Sequence, residues 1–324
     1  MLNSHRSLNG RKVVITGASS GIGRATALAY ASEGARLVLV ARRREPLEDV
    51  AVQCEALGTT ALVVPADVTD ASAMHTVAEQ ARAHFGAVDV WINNVGTGAV
   101  GSFTEVPISA HRRVIETNLI GHMNGAHAVL PHFIARRRGV LINMISVGGW
   151  VATPYASAYS ASKFGVRGFA QALRAEVSRW PDIHVCDVYP AFVDTPGVAH
   201  GANYTGRGIR PMPPVYDPRQ VAEAMVKLAV SPRATTMVGS ITPWLRAGVA
   251  VAPNVSGHVA RWFMDRAFKF ADPAPVKAGN LFEPQGPYQL DGGYKSTAPM
   301  RVAPAVGLAV LGALALRWWM KARA

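Results

Sequence analysis

The chain has 324 residues, is 49% hydrophobic and only 17% charged, and carries a formal net charge of +12. That composition excludes a disordered or low-complexity protein and gives room for one large domain plus an appendage. The basic charge lies in short clusters (Arg42 to Arg44, Arg112 and Arg113, Arg136 to Arg138) without interleaved aromatic residues; such scattered clusters read as solvated faces, and the basic balance points to a phosphorylated cofactor or an acidic membrane surface rather than a nucleic acid.

Strand-like and helix-like segments alternate in chain order. Residues 13–16 read as a short buried strand, 17–23 as a glycine-rich turn, and an Ala-rich helix follows to Glu33. Residues 37–40 form the second strand and 45–57 the second helix, stopped by Gly58. Further strands are expected at 61–64, 88–92, 140–145 and 184–189, with helical stretches at 111–135 and 156–179. A helix over 217–230 and a last strand over 236–241 close the series. The strands are continuous apolar runs, the mark of strands covered on both faces, so the repeated units predict an α/β fold with a doubly wound parallel sheet.

Residues 191–216 break the rhythm with Gly197, Gly201, Gly206, Gly208, Pro211, Pro213 and Pro214. An irregular segment after a strand's carboxyl end reads as a substrate lid or as a surface insertion. The chain divides into a catalytic domain over 1–245, a helical extension over 246–277, a Pro/Gly-rich linker over 278–300 and an apolar tail over 301–324. The run 302–316 would be about 22 Å long as a helix, short of a hydrocarbon core of about 30 Å. Trp318 and Trp319 beside Lys321 and Arg323 extend it as an interfacial belt. The tail is therefore read as a span or shallow anchor, with a helix packed on the domain or on a partner subunit as the alternative. Attachment would leave the catalytic domain in the cytoplasm; without it the protein is soluble and cytoplasmic. Cys54 and Cys186 form no disulfide framework or metal motif, so a reducing compartment and no metal are expected.

The turn reads Gly17-Ala18-Ser19-Ser20-Gly21-Ile22-Gly23 between the first strand and first helix. Glycines admit a sharp turn and a close ligand, and the helix N-terminus offers N–H groups to a pyrophosphate. The second strand ends on Arg42 and Arg43 rather than an acidic residue, which favours a 2′-phosphate over a bare ribose hydroxyl and hence NADP. Arg42 is the first candidate and Arg43 the second; solvation of the following helix is the other reading of both.

Tyr159 and Lys163 are spaced i,i+4 on a helix, so they share a face. A neighbouring ammonium is expected to lower a phenol's pKa and fit Tyr159 for proton transfer to a carbonyl or from an alcohol. Ser146, just past the fifth strand, is placed to hydrogen-bond the same substrate oxygen. Trp150, Tyr155 and Phe192 are candidates for an apolar substrate pocket, with packing as the alternative, and a bulky hydrophobic ketone, aldehyde or alcohol is the expected substrate.

With Asp67-Val68, Asn93-Asn94-Val95-Gly96, Asn118, Ser146, the 159–163 pentad and the segment from Pro190 to Thr195, the sequence resembles the classical short-chain dehydrogenase/reductase family over residues 10–245. Two departures stand out: Val95 replaces the usual Ala, and Ala191 the usual Gly. The resemblance implies a Rossmann-type oxidoreductase in which Asn118, Ser146, Tyr159 and Lys163 are catalytic. Asn118 would hold a relay water and Lys163 the nicotinamide ribose. Asp67 and Val68 would meet the adenine, while Asn94 and Gly96 would line the cleft. Pro190, Val193 and Thr195 would edge the nicotinamide, Thr195 holding its carboxamide. It also implies a possible homo-oligomer. A cofactor-sensing protein without turnover is the alternative function; the intact proton-handling set argues against it.

Overall fold

A computed structural model of the chain describes residues 8–294. In chain order the elements are β1 (Lys12–Thr16), α1 (Gly21–Ser32), β2 (Arg36–Ala41), α2 (Glu45–Glu55), β3 (Ala61–Pro65), α3 (Ala71–Phe85), β4 (Val90–Asn93) and β5 (Ala99–Val100). Then come α4 (Ile108–Ile115), a π-helical turn (Glu116–Ile120), α5 (Gly121–Arg136), β6 (Gly139–Met144), α6 (Ser157–Glu176), β7 (Ile183–Pro190), α7 (Gly197–His200) and β8 (Ala202–Asn203). The series ends with α8 (Pro218–Val230), β9 (Thr235–Val238), α9 (Thr242–Val251) and α10 (Pro253–Phe270).

Seven strands form one parallel sheet in the order β3-β2-β1-β4-β6-β7-β9, the doubly wound arrangement expected from the sequence. Alternate residues of each strand point to opposite faces. Val13, Ile15, Leu37, Leu39, Val90, Ile92, Ile142 and Val188 meet Tyr30, Leu47, Val50, Val221 and Met225 on one side. Val14, Val38, Trp91, Leu141 and Val185 meet Met74, Val77, Val129, Phe133 and Leu173 on the other. Each such apolar side chain taken out of water contributes about 1.5–3 kcal/mol, which makes the sheet a stiff platform. Strand order reverses between β1 and β4, and in such folds ligands bind at the carboxyl ends beside that reversal.

Helix starts follow local chemistry. The Asp70 carboxylate accepts from the N–H groups of Ser72 (2.8 Å) and Ala73 (3.1 Å) to open α3, a helix the apolar pattern does not single out. The stretch 111–135 is not one helix: it starts at Ile108 and the π turn interrupts it. The extension over 246–277 is likewise two helices, broken at Ala252 where Pro253 can begin a helix but not continue one.

The part of the 278–300 segment that is described is not a free linker. Residues 278–294 run over the carboxyl edge of the sheet, and Leu281 is 1% exposed in a cluster with Ala99, Val106, Ala110 and Val114. Residues 191–216 are also tied down rather than loose. β8 pairs with β5, and Asn203 and Arg207 form antiparallel bridges to Lys277 and Pro273. Among the described residues no helix is long and apolar enough to cross a membrane; the apolar tail over 301–324 lies outside them.

Candidate active site

The glycine turn joins β1 to α1 with Gly17 at φ +69° and Gly21 at φ +52°, conformations that favour glycine. Ser19 is buried, Ser20 precedes α1 without a side-chain capping bond, and Ile22 packs on the core. A Cβ on Gly23 would lie 1.9 Å from the Gly17 carbonyl oxygen and 2.8 Å from Asn94 Nδ2. Asn94 secures this turn to β4: its N–H donates to Thr16 Oγ1 (3.0 Å) and its Nδ2 to the Thr16 carbonyl (3.1 Å). Gly23→Ala is therefore expected to cost about 1–3 kcal/mol of stability through overpacking. Dinucleotide affinity should fall at least tenfold with it, as read by thermal unfolding and NADPH titration. Unchanged values for both would show that the turn relaxes freely.

At the end of β2, Arg42 donates to the carbonyls of Asn280 (Nη2, 2.9 Å) and Phe282 (Nη1, 3.2 Å). Arg43 pairs with Glu45 at 3.4 Å and lies over the Tyr288 ring, 5.8 Å from its centroid. Burial raises the Asp67 carboxyl, but hydrogen bonds from the Thr69 N–H and hydroxyl and from Arg113 outweigh it and leave the group below its usual range. Arg113 Nη2 meets Asp67 Oδ2 at 2.7 Å. Val68 is buried beside it. Arg113 belongs to a cluster that reads in the sequence as a solvated face; only the fold brings it to Asp67.

The reactive cluster sits past β6. Ser146 has φ +139°, a strained value for a side-chain-bearing residue that costs on the order of 1–3 kcal/mol and is stored mostly at functional sites. Its Oγ accepts from the Gly148 N–H at 3.1 Å, and a Cβ on Gly148 would lie 3.5 Å from that Oγ and 3.0 Å from Tyr159 Cε1, so the two side chains face the same spot. Tyr159 and Lys163 share one face of α6 as the spacing predicts, with Lys163 Nζ 5.8 Å from the Tyr159 ring centroid. Lys163 is 2% exposed and donates to the Met144 carbonyl at 3.0 Å. A Cβ on Gly96 would come within 3.4 Å of that Nζ, so Gly96 leaves the ammonium its space.

The electrostatics differ from the expectation that the ammonium lowers the phenol. Burial raises the Tyr159 phenol, with the Ser146 hydrogen bond pulling the other way, and burial brings the Lys163 ammonium down to about 7. Desolvation acts on both groups and is larger than their mutual effect.

Asn118 sits in the π turn, fully buried. Its Oδ1 accepts from the Thr97 N–H (2.8 Å), and its Nδ2 donates to the Thr97 carbonyl (2.9 Å) and to Ser162 Oγ (3.0 Å). π turns are uncommon and frequently mark functional positions. Thr97 is the partner that sequence reading missed, because its role is carried by backbone atoms.

Pro190 ends β7 against β9, and Val193 bridges to Tyr216. Thr195 reaches over the glycine turn, its Cβ 3.2 Å from where a Cβ on Gly21 would be. Phe192 is half-buried. Two substrate candidates have packing partners. The Trp150 indole is held between the guanidiniums of Arg167 (3.5 Å) and Arg246 (3.9 Å) and leans on Tyr189. The Tyr155 hydroxyl is bonded to Asp265 and its ring meets Phe268 edge-on, so it docks α10 onto the domain.

A glycine turn at the strand-order reversal and a Ser–Tyr–Lys cluster at the same sheet edge define a dinucleotide-dependent oxidoreductase fold and site. The sequence model for short chain dehydrogenase matches residues 11–203, and the chain belongs to that family. It is similar to the oxidoreductase YxnA of Bacillus subtilis, 33% identical over 72% of this chain and 67% of the relative. It is also similar to a 3-dehydrosphinganine reductase of Danio rerio, 35% identical over 72% of each chain. Among solved structures, an alcohol dehydrogenase of Thermococcus sibiricus in complex with 5-hydroxy-NADP superposes with a TM-score of 0.63 and 27% identity, covering 72% of this chain and 98% of that one.

Proposed function

We propose that the protein is an NADP(H)-dependent oxidoreductase that interconverts a carbonyl and an alcohol on a bulky hydrophobic substrate. The observation that carries this reading is the convergence of Ser146 Oγ and the Tyr159 ring on Gly148, within 3.5 and 3.0 Å of a Cβ built there, beside a buried Lys163 at the carboxyl edge of the sheet. The donor set suits a phosphorylated dinucleotide: a glycine turn opening a helix, with Arg42 and Arg43 directly after β2, whose last residues include no Asp or Glu. The 5-hydroxy-NADP complex of a structural relative supports the same cofactor.

When bound, the nicotinamide supplies or accepts the hydride. Gly17, Ser19, Ser20, Gly21, Ile22 and Gly23 would hold the pyrophosphate, and Arg42 with Arg43 the 2′-phosphate. Asp67 and Val68 would flank the adenine, Asn94 and Gly96 the cleft floor, and Pro190, Val193 and Thr195 the nicotinamide end. In the reducing direction the Ser146 hydroxyl donates to the substrate carbonyl oxygen and orients it. Tyr159 gives its proton to that oxygen as it becomes an alcohol. A neutral phenol is the form needed here, and burial maintains it. Lys163, with its ammonium near 7, exchanges a proton readily at neutral pH and returns one to Tyr159. Asn118 holds the Thr97 segment and, in this reading, a water leading from Lys163 to solvent. Phe192 would line the substrate pocket, and the name of the Danio rerio relative supports a hydrophobic ketone.

Arg42→Asp is expected to shift the NADPH-to-NADH affinity ratio about ten- to hundredfold towards NADH, the worth of hydrogen bonds to a charged group. Titrating the variant with both dinucleotides reads the ratio directly. An unchanged ratio would move the phosphate contact to Arg43 or elsewhere. We also propose membrane association. α9 and α10 expose Trp244, Trp262, Phe263 and Phe270 together with Arg261, Arg266 and Lys269, a composition suited to an anionic interface.

A further inference from the structure

Resting on the reading above for the identity of the cleft, we propose that residues 278–294 are an internal occupant of the dinucleotide site, a strap that the cofactor must displace. The strap's backbone carbonyls sit on two donors assigned to phosphates, the Gly21 N–H and Arg42, and on two neighbouring guanidiniums, Arg24 and Arg113. The Gly21 N–H, at the mouth of α1, donates to the Gln289 carbonyl at 2.9 Å. Arg24 Nη1 donates to the Tyr288 carbonyl at 2.6 Å, and Arg42 to those of Asn280 and Phe282. Arg113 Nε donates to the Leu281 carbonyl at 2.9 Å, while the Leu281 side chain is buried in its apolar cluster. Neutral carbonyls thus stand where oxyanions would.

The strap is anchored outside the cleft as well as inside it. Asp291 makes a two-point ion pair with Arg219 (2.9 and 3.1 Å), and Asp194 Oδ1 accepts from the N–H groups of Gly292 (3.0 Å) and Tyr294 (2.8 Å). Gly292 lies against the Thr195 backbone so closely that a Cβ there would be 2.5 Å from the Thr195 carbonyl oxygen.

The balance favours displacement by the right ligand. Hydrogen bonds from guanidinium to phosphate are roughly twice as strong as those to a neutral acceptor, and a helix N-terminus prefers an anion. A dinucleotide without the 2′-phosphate offers Arg42 no anion in exchange for the Asn280 and Phe282 carbonyls. The strap therefore lowers apparent affinity for both dinucleotides and penalises NADH more.

The test combines NADPH titration with hydrogen exchange on the full-length chain. NADPH is expected to protect residues 17–23 and to speed exchange of residues 280–289. Arg219→Glu, which repels Asp291 at a site away from the reaction, is expected to tighten NADPH about threefold by raising the strap-free fraction. Adding Asp291→Arg to it should restore the wild-type value. Gly292→Val, which forces the strap off the Thr195 carbonyl, should tighten NADPH at least as much. Tight NADPH binding with residues 280–289 equally or more protected, or identical affinities in wild type and both loosened variants, overturns the strap and leaves the oxidoreductase reading standing. Binding of neither NADPH nor NADH by wild type or any loosened variant overturns both.

Discussion

Tyr159→Phe is expected to lower kcat by about a hundred- to ten-thousandfold, the usual worth of a positioned general acid or base, while NADPH affinity changes little. The side chain's packing explains the separation. The ring lies 3.0 Å (Cε1) from a Cβ built on Gly148 and joins the apolar cluster around Ala158 and Leu281, and phenylalanine keeps all of that surface. What goes is one hydroxyl and, in the proposed mechanism, the proton it would deliver. Burial raises the phenol, so carbonyl reduction should hold steady through neutral pH, while alcohol oxidation, which needs the phenolate, should rise into the alkaline range. Steady-state rates in both directions, with a parallel NADPH titration, check this. A variant with wild-type turnover would remove Tyr159 from the chemistry.

Lys163→Met is expected to reduce kcat by about a hundredfold or more and to change how stability depends on pH. In the folded chain the Lys163 ammonium is brought from 10.5 to about 7 by burial. Between those values the unfolded chain holds a proton that the folded chain has released, so the free energy of unfolding rises with pH across the window. Below about 7 both states are protonated and the full cost of burying the charge is present. Methionine fills similar volume without a charge, so the variant should be more stable than wild type at neutral pH and show a flatter profile. Urea midpoints taken from neutral to alkaline pH read both effects. A wild-type profile already flat over that window would mean that the ammonium is far better solvated than its 2% exposure indicates.

The order of strands, the glycine turn and the Tyr159–Lys163 face were legible in the sequence because each depends on local pattern: apolar runs, glycine spacing and helical periodicity. Other features depend on pairs far apart in the chain. Trp150 and Tyr155 follow Ser146 and look like pocket walls, yet Arg246 and Asp265, each about a hundred residues away, decide where they point. Arg113 reads as surface charge until α4 delivers it to Asp67. α3 escapes notice because only Met74, Val77, Ala78 and Ala81 of its residues are buried, and the π turn because it is a shift in backbone hydrogen bonding. The strap is the extreme case. Its Pro and Gly content resembles a linker, and its contacts to Gly21, Arg24 and Arg42 are made by backbone carbonyls, which no residue pattern encodes.

Isotope transfer would follow the hydride and the Tyr159 proton step together. NADPH deuterated at the nicotinamide C4 hydride position would be incubated with the enzyme and a panel of hydrophobic ketones, and the alcohols formed analysed by mass spectrometry. Deuterium is expected on the former carbonyl carbon of the product, with the label transfer lost in Tyr159→Phe. Alcohol formed without deuterium from either C4-deuterated epimer, or formed equally fast by Tyr159→Phe, would contradict the proposed mechanism.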